Sequence, residues 1–270
     1  MKALLKTALA VNLGLMAIQS YGATFAYSPS DLLLGFRSSS GSSDFVVNLG
    51  QVSQYYAYSA MAPGSTITIN AFDVSQLNTV FGSINGLSLS AFADVRTSSN
   101  PRFPQNTIWA TAPRMDLNTQ SDPWTARSVF AQGTTAGKID GIANGAVGYG
   151  GTISGGPLNT ATAISLPKTW NAGGGISYTL GIGVAGNFAN TFPGTVEGTT
   201  ASDFATAGTP MRFDLYQLEP GSGPGVYMGF FEFGTDGSLS YTTVPEPGAG
   251  AFIVGGLGAM ALWRRMRNRA

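Results

Sequence analysis

MRFDLYQL (Met211–Leu218), VYMGFFEF (Val226–Phe233) and SLSYTT (Ser238–Thr243) decide the fold of this 270-residue chain. Arg212-Phe213-Asp214-Leu215-Tyr216 alternates polar and apolar side chains with period two, the mark of a strand with one buried face. Asp236-Gly237 lies between the second and third runs, and such a pair supports the tight turn of a hairpin. Similar runs precede them: Leu32–Phe36, Phe45–Leu49, Thr66–Asn70, Leu87–Asp94, Thr107–Thr111, Ala161–Leu166 and Ile176–Gly183. Most are bounded by Gly, Pro, Ser or Asn, which break strands and make turns.

Helical patterns are fewer. Asp73–Phe81 has an acidic start with Val74, Leu77 and Phe81 at helical spacing. Ser121-Asp122-Pro123 has the chemistry of an N-cap with proline in the first turn, and predicts a helix through about Gln132, extending toward Ile142. Gly133 and Gly137 argue against that extension. Gly148–Gly156 and Pro193–Gly208 read as loops. The expectation is one all-β domain over residues 23–243, a two-sheet β-sandwich or jelly roll with one or two short inserted helices.

The two ends differ from this body. Residues 1–22 read as a signal peptide: Lys2 and Lys6 give a positive start, and Ala8–Ile18 an apolar core. Ser20-Tyr21-Gly22 places small residues before a cleavage expected at Ala23 or one residue later. Residues 244–270 stack three parts in order. Val244-Pro245-Glu246-Pro247 comes first, then the uncharged run Gly248–Trp263, then a basic tail at 264–269 containing Arg264, Arg265, Arg267 and Arg269. Sixteen apolar residues fall short of the roughly 20 that span a bilayer core, but arginine stems snorkel and lengthen the span. Arginines stay on the cytoplasmic side, which places the body outside. The prolines hold the juncture extended, where a processing enzyme can grip it.

These 27 residues resemble the PEP-CTERM sorting signal of Gram-negative bacteria, with its Pro-Glu-Pro, Gly-rich apolar helix and Arg cluster. The resemblance implies export through the Sec machinery, transient anchoring in the inner membrane, and processing of the tail by an exosortase-like membrane enzyme. It also implies a final place at the cell surface or in an extracellular polysaccharide matrix. The body has a second likeness. Ser30–Arg37 with Phe45–Gly50, and Gly225–Phe233 with Gly237–Tyr241, look like the opening strands and closing hairpin of passenger domains on PEP-CTERM proteins of verrucomicrobial type. Those passengers have no established activity, so this likeness supports fold and export and names no active site.

Composition narrows the chemistry. Between Ala23 and Pro247 there are eight basic and fourteen acidic residues, a net charge of about −6 that the basic ends mask in the whole-chain count. An acidic body lacks the basic patch that nucleic-acid binding requires. The chain has neither cysteine nor histidine, which removes disulfides, the usual zinc, copper and haem ligands, and any His- or Cys-dependent nucleophile. No cofactor is expected. Gly181–Gly186 spells a dinucleotide fingerprint, but Asn187–Pro193 is too short and turn-like for the helix that binds the pyrophosphate. Gly133–Lys138 is one residue short of a P-loop, with Ile139 where a hydroxyl should stand.

Two chemistries survive. Asp203, Asp214, Glu219 and Glu232 are the acids from which a glycosidase pair would be drawn. Tyr55, Tyr56 and Tyr58, with Trp109, Trp124 and Trp170, are the rings on which a lectin-like module would stack sugars, against a reading of Trp109 and Trp124 as core. The leading expectation is a non-enzymatic, structural or adhesive exported protein. A carbohydrate-binding module and an Asp/Glu-dependent glycoside hydrolase are the alternatives.

Overall fold

A computed structural model of the chain describes residues 24–55, 64–96, 102–152 and 159–243. The expected signal peptide, Tyr56, Tyr58 and the sorting tail from Val244 onward lie outside the described residues. Among the described residues no helix is long and apolar enough to cross a membrane.

The body is mostly β, built on a curled antiparallel sheet with helices laid over it. In chain order the main strands are β1 (Asp31–Ser38), β2 (Ser43–Gln51), β3 (Thr66–Ile69), β4 (Leu87–Asp94), β5 (Ile108–Pro113) and β6 (Ala163–Pro167). A two-stranded ribbon of β7 (Asn171–Ala172) and β8 (Gly175–Ile176) and the short β9 (Gly198–Thr199) precede β10 (Met211–Leu218), β11 (Val226–Phe233) and β12 (Leu239–Thr243). Hydrogen bonds run through one sheet in the order β3-β12-β11-β10-β5-β4-β1-β2-β6, with β9 on β4. The hairpin turn falls at Asp236-Gly237. Gly237 takes φ 83°, and the Asp236 carboxylate accepts from the Ser238 amide at 2.9 Å.

Ring contacts show how strongly the sheet curls. Strands β1 and β11 are four steps apart in the sheet, roughly 19 Å if it were flat. Yet the rings of Phe36 on β1 and Phe233 on β11 are 5.8 Å apart. The sheet therefore folds over on itself. The enclosed face carries Leu32, Leu34, Phe36, Phe45, Leu89, Phe213, Phe231 and Tyr241, all buried. Tyr55 belongs to this core. Its ring packs edge-on against Tyr241 at 4.9 Å and its hydroxyl donates to the Leu49 carbonyl at 2.9 Å, so neither ring face is free for a sugar.

Helix α1 (Val74–Phe81) caps the inner core with buried Leu77. Asp73 is its N-cap, accepting from the Ser75 amide at 2.7 Å, while Gln76 accepts from the Asp73 amide at 2.9 Å. The outer face is covered by α2 (Val129–Thr152), α3 (Tyr178–Ile182) and the loops after α3, while α4 (Phe204–Ala207) packs Phe204 on Phe233 of the inner core at 5.9 Å.

Three expectations need correction here. The helix anticipated from Ser121 begins at Val129: Ser121 is drawn to the sheet instead, its amide and hydroxyl both donating to Asp214. The cap is supplied by Ser128, whose hydroxyl accepts from the Ala131 amide at 3.2 Å. The helix is also long, 24 residues, and runs through Gly133 and Gly137 and past the start of the loop expected at Gly148. Its glycines form a stripe on one side. A methyl group on Gly145 would strike the backbone carbonyl of Ile176, and one on Gly141 the Ile176 side chain. These glycines let the β7–β8 ribbon lie directly on the helix backbone. Third, the strand anticipated over Ile176–Gly183 contains only the end of β8. Buried Ser177 caps α3 by accepting from the Leu180 amide at 3.2 Å, and the Thr179 amide donates to Asp44 at 2.7 Å.

Candidate functional site

Strands β5 and β10 and the segments that leave them shape an open cleft of about 570 Å³, bounded by 114–118, 199–201, Phe204, Ala207 and 209–212. A second hollow of about 400 Å³, lined by Gln120, Asp122, Trp124 and Gly194 among others, lies on the other side of Met115. Both volumes are in the range that small ligands occupy.

Two guanidiniums build the wall between sheet and cleft. Arg114 Nε donates to Asp214 Oδ1 at 2.8 Å, Nη1 to the Leu117 carbonyl at 3.0 Å and Nη2 to the Tyr227 hydroxyl at 2.9 Å. Arg212 Nε donates to Glu232 Oε2 at 2.6 Å and Nη1 to the same Leu117 carbonyl at 2.8 Å. Both lie over the Phe230 ring, at 4.5 and 5.0 Å from its centre. Sequence spacing hid this, because Arg114 and Asp214 are a hundred residues apart and meet only through the β5–β10 pairing. Burial works against the Arg114 charge, but the Asp214 carboxylate outweighs it and moves the guanidinium pKa upward. The chain then turns on Asp116, whose carboxylate accepts from the Asn118 and Thr119 amides at 2.9 and 2.8 Å. Those bonds lower its pKa.

This arrangement bears on the four candidate acids. Asp214 is buried, ion-paired with Arg114 at 2.7 Å, and accepts from both the amide and hydroxyl of Ser121. Glu232 is held by Arg212. Both carboxylates are thus occupied by arginine partners within the fold. Asp203 is exposed beside α4 and makes no capping bond, and Glu219 accepts from Gln217 at 3.1 Å. The structure therefore draws two of the four acids into one cluster, where each holds an arginine, and leaves the other two apart from it.

The tryptophans divide similarly. Trp109 and Trp124 are buried, Trp109 against Phe103 at 5.1 Å and Trp124 against Phe192 at 4.9 Å. Trp170 is half-buried and meets Tyr149 of α2 edge-on at 4.8 Å. Gly133–Lys138 lies inside α2, and Gly181–Gly186 spans the end of α3 and the turn after it.

A separate polar network ties the outer layer to the sheet. Glu197 accepts from Arg37 at 2.5 Å and from the Tyr178 hydroxyl at 2.8 Å, with Ser90 completing the chain at 2.7 Å. Burial foremost, and then the Glu197 charge, push the Tyr178 hydroxyl far above its ordinary pKa. The loop it supports carries left-handed Phe188, Ala189 and Asn190 in succession, with φ of 53°, 56° and 68°. Asn187 stabilises that turn by accepting from the Asn190 amide at 2.9 Å. Among the described residues no group of three or more carboxylates is placed to hold a metal ion. Comparisons with protein-family models, with curated proteins and with solved structures found no match.

Proposed function

We propose that this is an exported, surface-sorted protein without enzymatic activity, whose C-terminal tail is processed by an exosortase-like membrane enzyme. Its body is a sandwich-like passenger, a jelly-roll variant in which one curled sheet supplies both walls, with a structural or adhesive role in the envelope or polysaccharide matrix. The observation that carries this reading is the order of Val244–Pro247, Gly248–Trp263 and the Arg264–Arg269 cluster directly after β12. The Thr243 amide bonds to the Ser65 carbonyl at 3.0 Å, and its carbonyl accepts from Gly64 at the same distance. β12 thus runs to the residue before the sorting motif, and removal of the motif would leave the described strands whole. Pro245→Ala with Glu246→Ala is expected to leave full-length protein in the membrane fraction. Intact-mass analysis giving the wild-type mature C-terminus from that variant would defeat the reading.

A lectin-like role is the second reading, favoured by the 570 Å³ cleft beside Arg212 and Asn118. Exported polysaccharide retained by the body and released by Met115→Glu or Asn118→Ala would support it. Equal retention by those variants would place any glycan elsewhere.

A further inference from the structure

We infer that the end of the sheet from which the tail departs is a membrane-contacting surface, with Val129, Phe130 and Val226 entering the interfacial layer of the bilayer that holds the tail. The inference rests on reading Gly248–Trp263 as a membrane segment.

Strand register fixes the geometry. Thr243 pairs with Gly229, and β12 runs antiparallel to β11, so the chain leaving Thr243 heads toward the end of the sheet where β11 begins. Val226 is three residues back along β11, about 10 Å at strand rise. It is 60% exposed. The β10–β11 turn beside it is clasped by α2 and the segment leading into it: Gly225 donates to the Trp124 carbonyl at 2.8 Å, Gly221 to the Arg127 carbonyl at 3.3 Å, and Gln132 Nε2 to the Leu218 carbonyl at 3.2 Å. That contact brings Val129 and Phe130 to the same end, where they are 56% and 85% exposed.

The tether sets how far this end can lie from the bilayer. Val244–Pro247 supplies four residues between the last strand and the apolar run, at most about 14 Å when extended. Two of the four are prolines, which stiffen it further. A body so tethered keeps the Thr243 end at headgroup level, where an aromatic and two valines gain from partial insertion. The opposite end of the sheet provides an internal contrast. Pro113 pairs with Phe213 there, and Met115, 98% exposed, extends beyond it.

Because the chain has no cysteine, single-cysteine variants take a label at one place only. Phe130→Cys, Val226→Cys, Met115→Cys and Leu257→Cys are made in the full chain and labelled with nitrobenzoxadiazole. Each is reconstituted into phosphatidylcholine–phosphatidylglycerol vesicles containing doxyl-labelled lipid. The expected result is strong quenching at 257, and quenching at 130 and 226 at least about twofold greater than at 115. Quenching at 257 with 130 and 226 no more quenched than 115 would overturn the docking surface and leave the anchor intact. No quenching at 257 would overturn the anchor, and the docking surface with it.

Discussion

The two faces of the curled sheet are built by different rules. The inner face is closed by large apolar side chains that touch across the fold, as Phe36 does Phe233 at 5.8 Å and Tyr55 does Phe231 at the same distance. The outer face is closed by backbone lying on backbone where the β7–β8 ribbon meets α2 at Gly145, and by polar groups that satisfy one another, such as Arg37, Glu197, Tyr178 and Ser90. The first kind of closure tolerates small adjustments, because side chains can change rotamer. The second tolerates very little, because a helix and a ribbon in backbone contact have nothing to move aside.

That contrast is sharpest at Gly145. Gly145→Val would place branched carbons where the Ile176 carbonyl now sits, so the β7–β8 ribbon must leave the helix or the helix must shift. A loss of more than about 4 kcal/mol is expected, from overpacking and from the lost outer contacts together. Denaturant unfolding should show a collapsed midpoint or no folded baseline. A variant within about 1 kcal/mol of wild type would mean that the outer layer is as adjustable as the inner.

Phe36→Ala probes the inner face. It removes a buried ring that meets Phe45, Phe72 and Phe233, and should cost about 3–5 kcal/mol. Restoring Leu at this position should recover most of the loss, because neighbouring rings can close around a smaller apolar side chain. No equivalent rescue is expected at Gly145, where only a smaller residue would serve and none exists. Thermal midpoints of the four proteins make the comparison direct.

The same asymmetry explains what was legible in the sequence. The inner face writes itself into short apolar or alternating runs, so β4, β10 and β11 have the bounds those runs suggest, and Asp73 announces α1 as an acidic start before helical spacing. The outer face leaves a signal that reads backwards. Glycines at 133, 137, 141 and 145 lower helix propensity, yet they recur every four residues, and at 141 and 145 the β7–β8 ribbon lies against that side. That period was the available clue. Ser121-Asp122-Pro123 offered better cap chemistry than Ser128, but Asp214 on β10 takes the Ser121 donors, a tertiary partner no local pattern reveals. For the same reason Asp214 and Glu232 were visible as acids while their arginines were not. The tyrosine run shows the limit of residue type as a guide: ring chemistry alone did not tell a stacking platform from Tyr55, which lies in the core.

Asp94 is where the two rules conflict, and pH offers the finest test. It ends β4 on the outer side, 1% exposed, with neither carboxylate oxygen hydrogen-bonded. Burial chiefly, with Asp140 adding repulsion and Arg96 opposing it, pushes its pKa up to about 8. Nearby, the buried Tyr27 hydroxyl is likewise without a partner, and its pKa is raised by burial and by the Asp94 charge. The folded state therefore binds the Asp94 proton more tightly than the unfolded chain. Its contribution is fully present below the unfolded pKa near 4 and is lost as pH rises through about 8. Asp94→Asn cannot ionise, so its stability should exceed wild type by about 1–3 kcal/mol at pH 9, with a much smaller difference at pH 5. Urea midpoints at the two pH values measure this. A pH-independent difference would mean that Asp94 is ionised in the folded state, its charge already compensated, and that the outer layer satisfies its polar groups as completely as the inner face packs its rings.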